Sequence, residues 1–272
     1  MTASRKIAWP TLALLCLMYA LLVGNVVLFF SDRGPLVLHV LASAIGIHLA
    51  FTIWHDAVHR SVFRQGRLDD VVGVLGVFPY MAPYFLEKWF HLQHHALLNQ
   101  RTDPNFIYTD GSFWTIPLRY LRILRYAKDR LPEDPRSAGE RMVDRLVPLS
   151  VLVIYAVAWW HGAFFDLALI WFVPLVMSKL VMDWYINYLP HVGLPPDRYR
   201  GTRVVDVPWL SPLVLFHNYH AIHHLWPQIP WYEYRATFRR KADDLRERGV
   251  PITTRVAGYR RIAAAAPVEA NP

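Results

Sequence analysis

Residues Ile7–Phe30 form an unbroken run without a charged side chain, and that run decides what the chain can become. As a helix it covers about 36 Å at 1.5 Å per residue, enough to cross a hydrocarbon core about 30 Å thick. Lipid offers the backbone no hydrogen-bond partners, so helix is the conformation such a span must take. It is too long for a signal peptide and no small-residue cleavage site follows it. The polar turn Ser31-Asp32-Arg33-Gly34-Pro35 leads into a second apolar stretch, Leu36–Trp54. Val147–Phe165 and Leu167–Ile186 repeat the arrangement around His161–Asp166. The expected fold is an all-α integral membrane protein with four spans, at about 7–30, 36–54, 147–165 and 167–186, in two hairpins.

Composition agrees. Hydrophobic residues make up 54% of the chain and aromatic ones 14%, with 11 Trp, a level suited to interfacial belts. The net charge of +8 does not point to nucleic acid, because the basic residues lie between the apolar spans and not in a tail. Of the 29 Lys and Arg, 13 fall between the second and third spans and 12 after the fourth. The positive-inside rule therefore places both termini and the long polar segments in the cytoplasm. Cys16 is the only cysteine, which excludes an internal disulfide and any thiolate-rich metal site.

The segment between the second and third spans has two features of its own. Val71–Leu86 is apolar but interrupted by Pro79 and Pro83, too short to span, and reads as re-entrant or surface-lying. Arg119, Arg122, Arg125 and Lys128 recur at every third residue with Leu121, Ile123, Leu124 and Tyr126 between them, the pattern of a basic helix at a membrane surface. Residues 1–262 read as a single domain and 263–272 as a disordered tail.

Thirteen histidines in so apolar a chain need a reason, and most are grouped. His55 and His59 stand at i and i+4, on one helix face. His91, His94 and His95 repeat as His-x-x-His-His, the spacing seen again at His220, His223 and His224, and His191 follows Asn187 by four. Imidazole is a common nitrogen ligand for iron, copper and zinc and binds in its neutral form. These nine are too many for one metal ion and suit two, with four or five ligands each. His39, His48 and His161 read as hydrogen-bonded fillers. His217, three residues before His220, either fills space in the same way or joins the ligand set. The first group lacks the Glu of His-Glu-x-x-His, which argues against zinc proteolysis.

With its boxes at His55-Asp56-Ala57-Val58-His59, His91-Leu92-Gln93-His94-His95 and His220-Ala221-Ile222-His223-His224, the chain resembles the membrane fatty acid desaturase and hydroxylase superfamily from His55 to about Tyr234. Within it, Asp103-Pro104, Trp171-Phe172-Val173-Pro174, Tyr188-Leu189-Pro190-His191, Asn218-Tyr219-His220, Leu225-Trp226-Pro227 and Ile229-Pro230-Trp231-Tyr232 are most similar to bacterial-type β-carotene hydroxylases. The resemblance implies a cytoplasmic helical cap holding two irons on His55, His59, His91, His94, His95, His191, His220, His223 and His224. Asn187 would reach a metal through water, at a position where carotenoid hydroxylases tend to carry Asp and some acyl desaturases Asn. O2 would be co-substrate and a carotenoid ring the substrate. An acyl-lipid desaturase is the alternative with the same metal site, and a non-catalytic haem- or metal-binding membrane protein the alternative without the chemistry.

Attack on an unactivated C–H bond needs a metal, because side chains alone cannot do it. Asp56 and Asp103 either orient ligating rings, as carboxylates commonly do, or serve as a helix cap and a turn residue. No flavin, haem or iron–sulfur motif is present, so electrons must arrive from a carrier such as ferredoxin with its reductase. The Arg119–Lys128 stripe suits either that acidic protein or anionic lipid headgroups. Phe78, Tyr80, Tyr84, Phe85, Trp89, Trp226 and Trp231 flank the boxes as an apolar entrance or as part of an interfacial belt.

Overall fold

A computed structural model describes residues 7–254, so the tail at 263–272 lies outside the described residues. The protein is mostly helical. Helices α1 (Trp9–Phe30), α2 (Leu36–Val58), α3 (Gly66–Val77) and α4 (Tyr84–Leu97) are followed by the single turn α5 (Phe106–Thr109), then α6 (Ile116–Arg130) and α7 (Ala138–Trp160). The last long helix runs from Phe164 to Tyr188. It comprises α8 (Phe164–Leu167), a π-helical segment Ala168–Phe172, α9 (Val173–Met182) and a second π-helical segment Asp183–Tyr188. Short α10 (His220–Leu225) and α11 (Tyr234–Glu247) close the described chain. One two-residue parallel strand pair, β1 (Val204–Val205) with β2 (Ile252–Thr253), departs from the all-α expectation.

Four helices are long and apolar enough to cross a membrane: Trp9–Phe30, Leu36–Val58, Ala138–Trp160 and Phe164–Tyr188. The third begins nine residues before the expected Val147. A capping box sets that start: Ser137 accepts from the Glu140 amide while the Glu140 carboxylate accepts from the Ser137 amide. Satisfying two otherwise orphaned donors outweighs the charged residues of the first turns, which hydropathy alone places outside the span. The second helix likewise runs past Trp54 to Val58, so His55 is helical and His59 is its C-terminal cap residue.

The chain divides into two compact units, one built from residues up to Lys88 with Arg136–Val181, the other from Trp89–Pro135 and from Met182 onward. In the first, α1 and α2 are joined by polar clamps inside an apolar interface. Asn25 donates to Ser43 and to the His39 carbonyl, and its amide oxygen lies 2.7 Å from His39 Nδ1. His39 is thus a hydrogen-bonded filler, as its sequence context implies. Nearer the other end of the pair, the Thr11 hydroxyl donates to Asp56 at 2.7 Å. Glycine lets α3 come close: a Cβ on Gly76 would stand 2.9 Å from the Trp54 amide nitrogen, and one on Gly73 2.1 Å from the Tyr84 ring.

The seven aromatic residues flanking the boxes are not exposed to any large extent. Tyr84 and Trp89 are buried and the other five are half-buried. Among the exposed aromatics, Trp9, Trp159, Trp160 and Phe165 stand at span ends, where Trp in particular favours a membrane interface.

In the second unit, a core of Val204, Tyr219, Ile222, Tyr234, Phe238 and Leu245 fixes α10 against α11. The strand β1 anchors the same helix: the Arg203 carbonyl accepts from the Ala221 amide, and the Val205 carbonyl accepts from the Asn218 side chain. Helix α6 has the expected amphipathic composition, and of the expected basic stripe Arg122, Arg125 and Lys128 are exposed. Arg119 is buried, its Nη2 donating to the Ser112 carbonyl. Trp114 just before the helix and Leu118 and Leu121 on it are exposed too, at 83%, 76% and 72%, so the outer face of this element is apolar as well as basic.

Candidate metal centre

Seven of the nine grouped histidines converge within the second unit, delivered by three stretches. Helix α4 carries His91, His94 and His95 one turn apart, and α10 presents His220, His223 and His224 in the same spacing. His191 comes from the turn after the second π-helical segment, where its peptide neighbours are held by Arg203, whose amide donates to the Pro190 carbonyl and whose Nη2 donates to the Val192 carbonyl. Ring nitrogens of His94, His191, His220 and His224 all lie within 4.8 Å of one another, as do those of His95, His223 and His224. His91 stacks on His223, with centroids 5.8 Å apart. In the first unit, the His55 and His59 rings are 5.2 Å apart at the end of α2.

The donor set fits metal ions. Nε2 atoms pair at 2.8 Å (His223 with His95), 3.0 Å (His224 with His220) and 3.1 Å (His95 with His91). Adjacent nitrogens around one ion with bonds of about 2.1 Å stand about 3.0 Å apart at right angles. His191 is 2% exposed, yet neither of its ring nitrogens has a hydrogen-bond partner among the described residues, and the buried Nδ1 of His220 is in the same position. Buried polar atoms left this way are uncommon, and a role as metal ligands would account for them. Burial pushes the His191, His220 and His224 imidazoles well below their ordinary range, reinforced by neighbouring histidines, and burial alone brings His59 down to about 3. All four rings are therefore neutral at pH 7, the form that offers a lone pair.

Surrounding side chains set the orientation of the rings. Asp103 accepts from His94 Nδ1 through both oxygens, at 3.0 and 2.9 Å, and from the amides of Asn99 and Asn105. His94 Nε2 is thereby left as the lone-pair nitrogen. Asp56 accepts from the Thr11 hydroxyl and so ties α2 to α1. Asn187 stands in a chain of its own: its Nδ2 donates to Asp183, which also accepts from the Tyr120 hydroxyl, and its Oδ1 accepts from Asn105.

Sequence reading did not single out Asn99, Asn105, Tyr120, Asp183 or Tyr234. The Asn99 side chain donates to the carbonyls of Leu194, Pro195 and Gly201 and so holds the loop after His191 against the end of α4; the Tyr234 hydroxyl lies 3.2 Å from His223 Nδ1. His217 is buried with its ring 5.8 Å from that of Tyr234, and its charge would oppose protonation of His220.

Residues 33–256 match the family described as fatty acid desaturase. The chain belongs to this family. It is similar to a beta-carotene ketolase of Paracoccus sp. (strain N81106 / MBIC 01143), 26% identical over 232 residues, which cover 79% of this chain and 86% of the ketolase. It is also similar to the chloroplastic omega-6 fatty acid desaturase of Spinacia oleracea, 23% identical over 270 residues, with coverage of 84% and 58%. A third relative is the sn-1 acyl-lipid omega-3 desaturase (ferredoxin) of Nostoc sp. (strain 36), 23% identical over 192 residues, with coverage of 67% and 48%. The chain spans little more than half the length of the plant desaturase. Desaturase-family relatives with these names are oxidoreductases, and the histidine clusters described above are compatible with the metal chemistry such reactions require.

Proposed function

We propose that the protein is an O2-dependent membrane oxygenase holding two irons, and that it hydroxylates the β-ionone ring of a carotenoid, in the manner that turns β-carotene into zeaxanthin. The observation that carries this reading is the convergence of seven histidines on one largely buried nitrogen cluster. His55 and His59 complete the ligand set, and Asn187 holds a water ligand. The coverage of the beta-carotene ketolase supports a carotenoid over an acyl chain.

Bound iron supplies an oxidant strong enough for a C–H bond, using O2 and two electrons. The chain's own residues make that use selective. Asp103 fixes the His94 tautomer. Were Nε2 of His223 to bind a metal, its Nδ1 would carry the proton and donate a hydrogen bond to the Tyr234 hydroxyl. Burial of His191, His220 and His224 keeps protons from competing for the ligand nitrogens. The electron donor is a carrier of ferredoxin type with its reductase, and both termini and the metal centre face the cytoplasm.

The acyl-lipid desaturase reading shares the metal centre and is favoured by the names of the plant and Nostoc relatives. Expression in bacterial cells that accumulate β-carotene separates the two. Zeaxanthin is the expected product. A 4-keto product would move the protein to ketolase chemistry, and unchanged pigment with new double bonds in membrane lipids would replace the carotenoid reading. Two irons per chain without a Soret band are expected in the purified protein, and one haem per chain would end the di-iron reading.

A further inference from the structure

His95 and His224 do double duty as walls of a cavity of about 450 Å³, whose other sides include Gln100, Pro196, Asp197 and Arg198. Cationic groups stand on or beside its lining residues. The guanidinium groups of Arg198 and Arg248 lie over the Tyr199 ring, at 5.8 and 5.1 Å from its centroid. The Lys241 ammonium lies 5.0 Å over Trp226, next to the lining residue Leu225. Arg200 reaches Asp197 at 3.0 Å and Arg248 reaches Asp244 at 2.8 Å. Arg198 and Lys241 are exposed and have no carboxylate partner among the described residues.

The rival basic surface is organised differently. On α6, Arg119 is buried, Arg122 pairs with Asp110 at 2.6 Å, and Arg125 stands 3.8 Å from Asp129. The exposed Trp114, Leu118 and Leu121 beside them suit a lipid surface. Beside the cavity, aromatic rings hold the unpaired cations Arg198 and Lys241 in fixed places, whereas on α6 Arg130, which lies over Tyr126, is paired with Glu133 at 2.8 Å; fixed unpaired charges favour docking of a complementary protein over diffuse attraction to headgroups.

We infer that the rim of this cavity, centred on Arg198 and Lys241, is the docking surface for a small acidic one-electron carrier, and that α6 is a lipid contact. The inference rests on the oxygenase reading, which requires such a carrier. Hydroxylation consumes two electrons and two protons with each O2, leaving one oxygen atom in the product and one in water. Two reduced carriers must therefore dock and leave, oxidised, for each turnover. Electron transfer weakens steeply with distance, and the rim admits a partner to the cavity that His95 and His224 wall.

The test is binding, on the full chain in phosphatidylcholine nanodiscs, both metal-free and iron-loaded, titrated with oxidised [2Fe–2S] ferredoxin. R198E/K241E should weaken the Kd about tenfold at low salt, with the gap closing at high salt as exposed charges are screened. R125E/K128E should leave the ferredoxin Kd within twofold while lowering affinity for vesicles containing phosphatidylglycerol. A size-exclusion profile and thermal melt matching the parent protein qualify each variant, and R198Q/K241Q, with a smaller loss in the same direction, replaces any that fails. Equal Kd values for the rim variant and the parent, loss confined to the α6 variant, or no ferredoxin binding at all would each overturn the inference. Iron content, counted on the same preparations, judges the di-iron reading separately.

Discussion

Asp103→Asn keeps the shape of the side chain and changes what it can accept. In the folded protein one carboxylate oxygen takes the Asn105 amide at 2.8 Å and the other the Asn99 amide at 2.9 Å, while both face His94 Nδ1. An asparagine has one oxygen. Whichever way its amide turns, an NH2 meets a backbone N–H, and the unpaired donor costs about 1–3 kcal/mol in a site this buried. A second loss falls on the metal. Removing the partner of a ligating histidine typically lowers affinity by about 10–100-fold, or about 1.4–2.8 kcal/mol. The two losses separate experimentally: thermal melting of the metal-free protein reads the first, and iron competition against a calibrated chelator reads the second. Lower stability with iron affinity unchanged within twofold would refute the claim that Asp103 prepares His94 for a metal.

Three other perturbations test separate parts of the structure. Gly73→Ala places a methyl group 2.1 Å from the Tyr84 ring and should cost about 1–3 kcal/mol or more by denaturant titration; a neutral result would mean that α3 does not abut that ring. Tyr234→Phe retains the buried ring but removes the hydroxyl next to His223 Nδ1, so iron affinity should fall about tenfold or more while the metal-free melt moves little. The pH dependence of metal-free stability follows from rings kept neutral in the fold, His59 at about 3 and His191, His220 and His224 depressed as well. Their ordinary value is 6.5, so below it the unfolded chain binds more protons and stability should drop as pH falls from 6.5 towards about 3, by up to ~1.4 kcal/mol per pH unit for each ring. No change is expected above that window, and a flat profile within it would show that the rings protonate in the folded state.

The parts of the fold legible in sequence were those governed by local rules. Apolar runs mark the four spans because hydrocarbon imposes one length and one conformation, and repeated His-x-x-His-His marks α4 and α10 because a helix turns both copies onto one face. What escaped depends on partners remote in sequence. Arg119 reads as part of an exposed stripe, yet the chain folds its guanidinium back to the Ser112 carbonyl. Tyr120, Asp183, Asn187 and Asn105 look unremarkable separately, and only the fold joins them across gaps of 63 and 82 residues. The early start of α7 was readable in principle from Ser137 and Glu140, but the charges that follow masked it.

The π-helical segment Asp183–Tyr188, where the Leu189 amide donates five residues back to the Trp184 carbonyl, makes the end of the last span sensitive to residue number. A helix advances about 100° per residue. Deleting one residue from this segment would let it relax into an ordinary helix while turning Asn187 away from Asp183 and re-aiming His191. A side-chain exchange along the span should therefore disturb the centre far less than the gain or loss of a single position here.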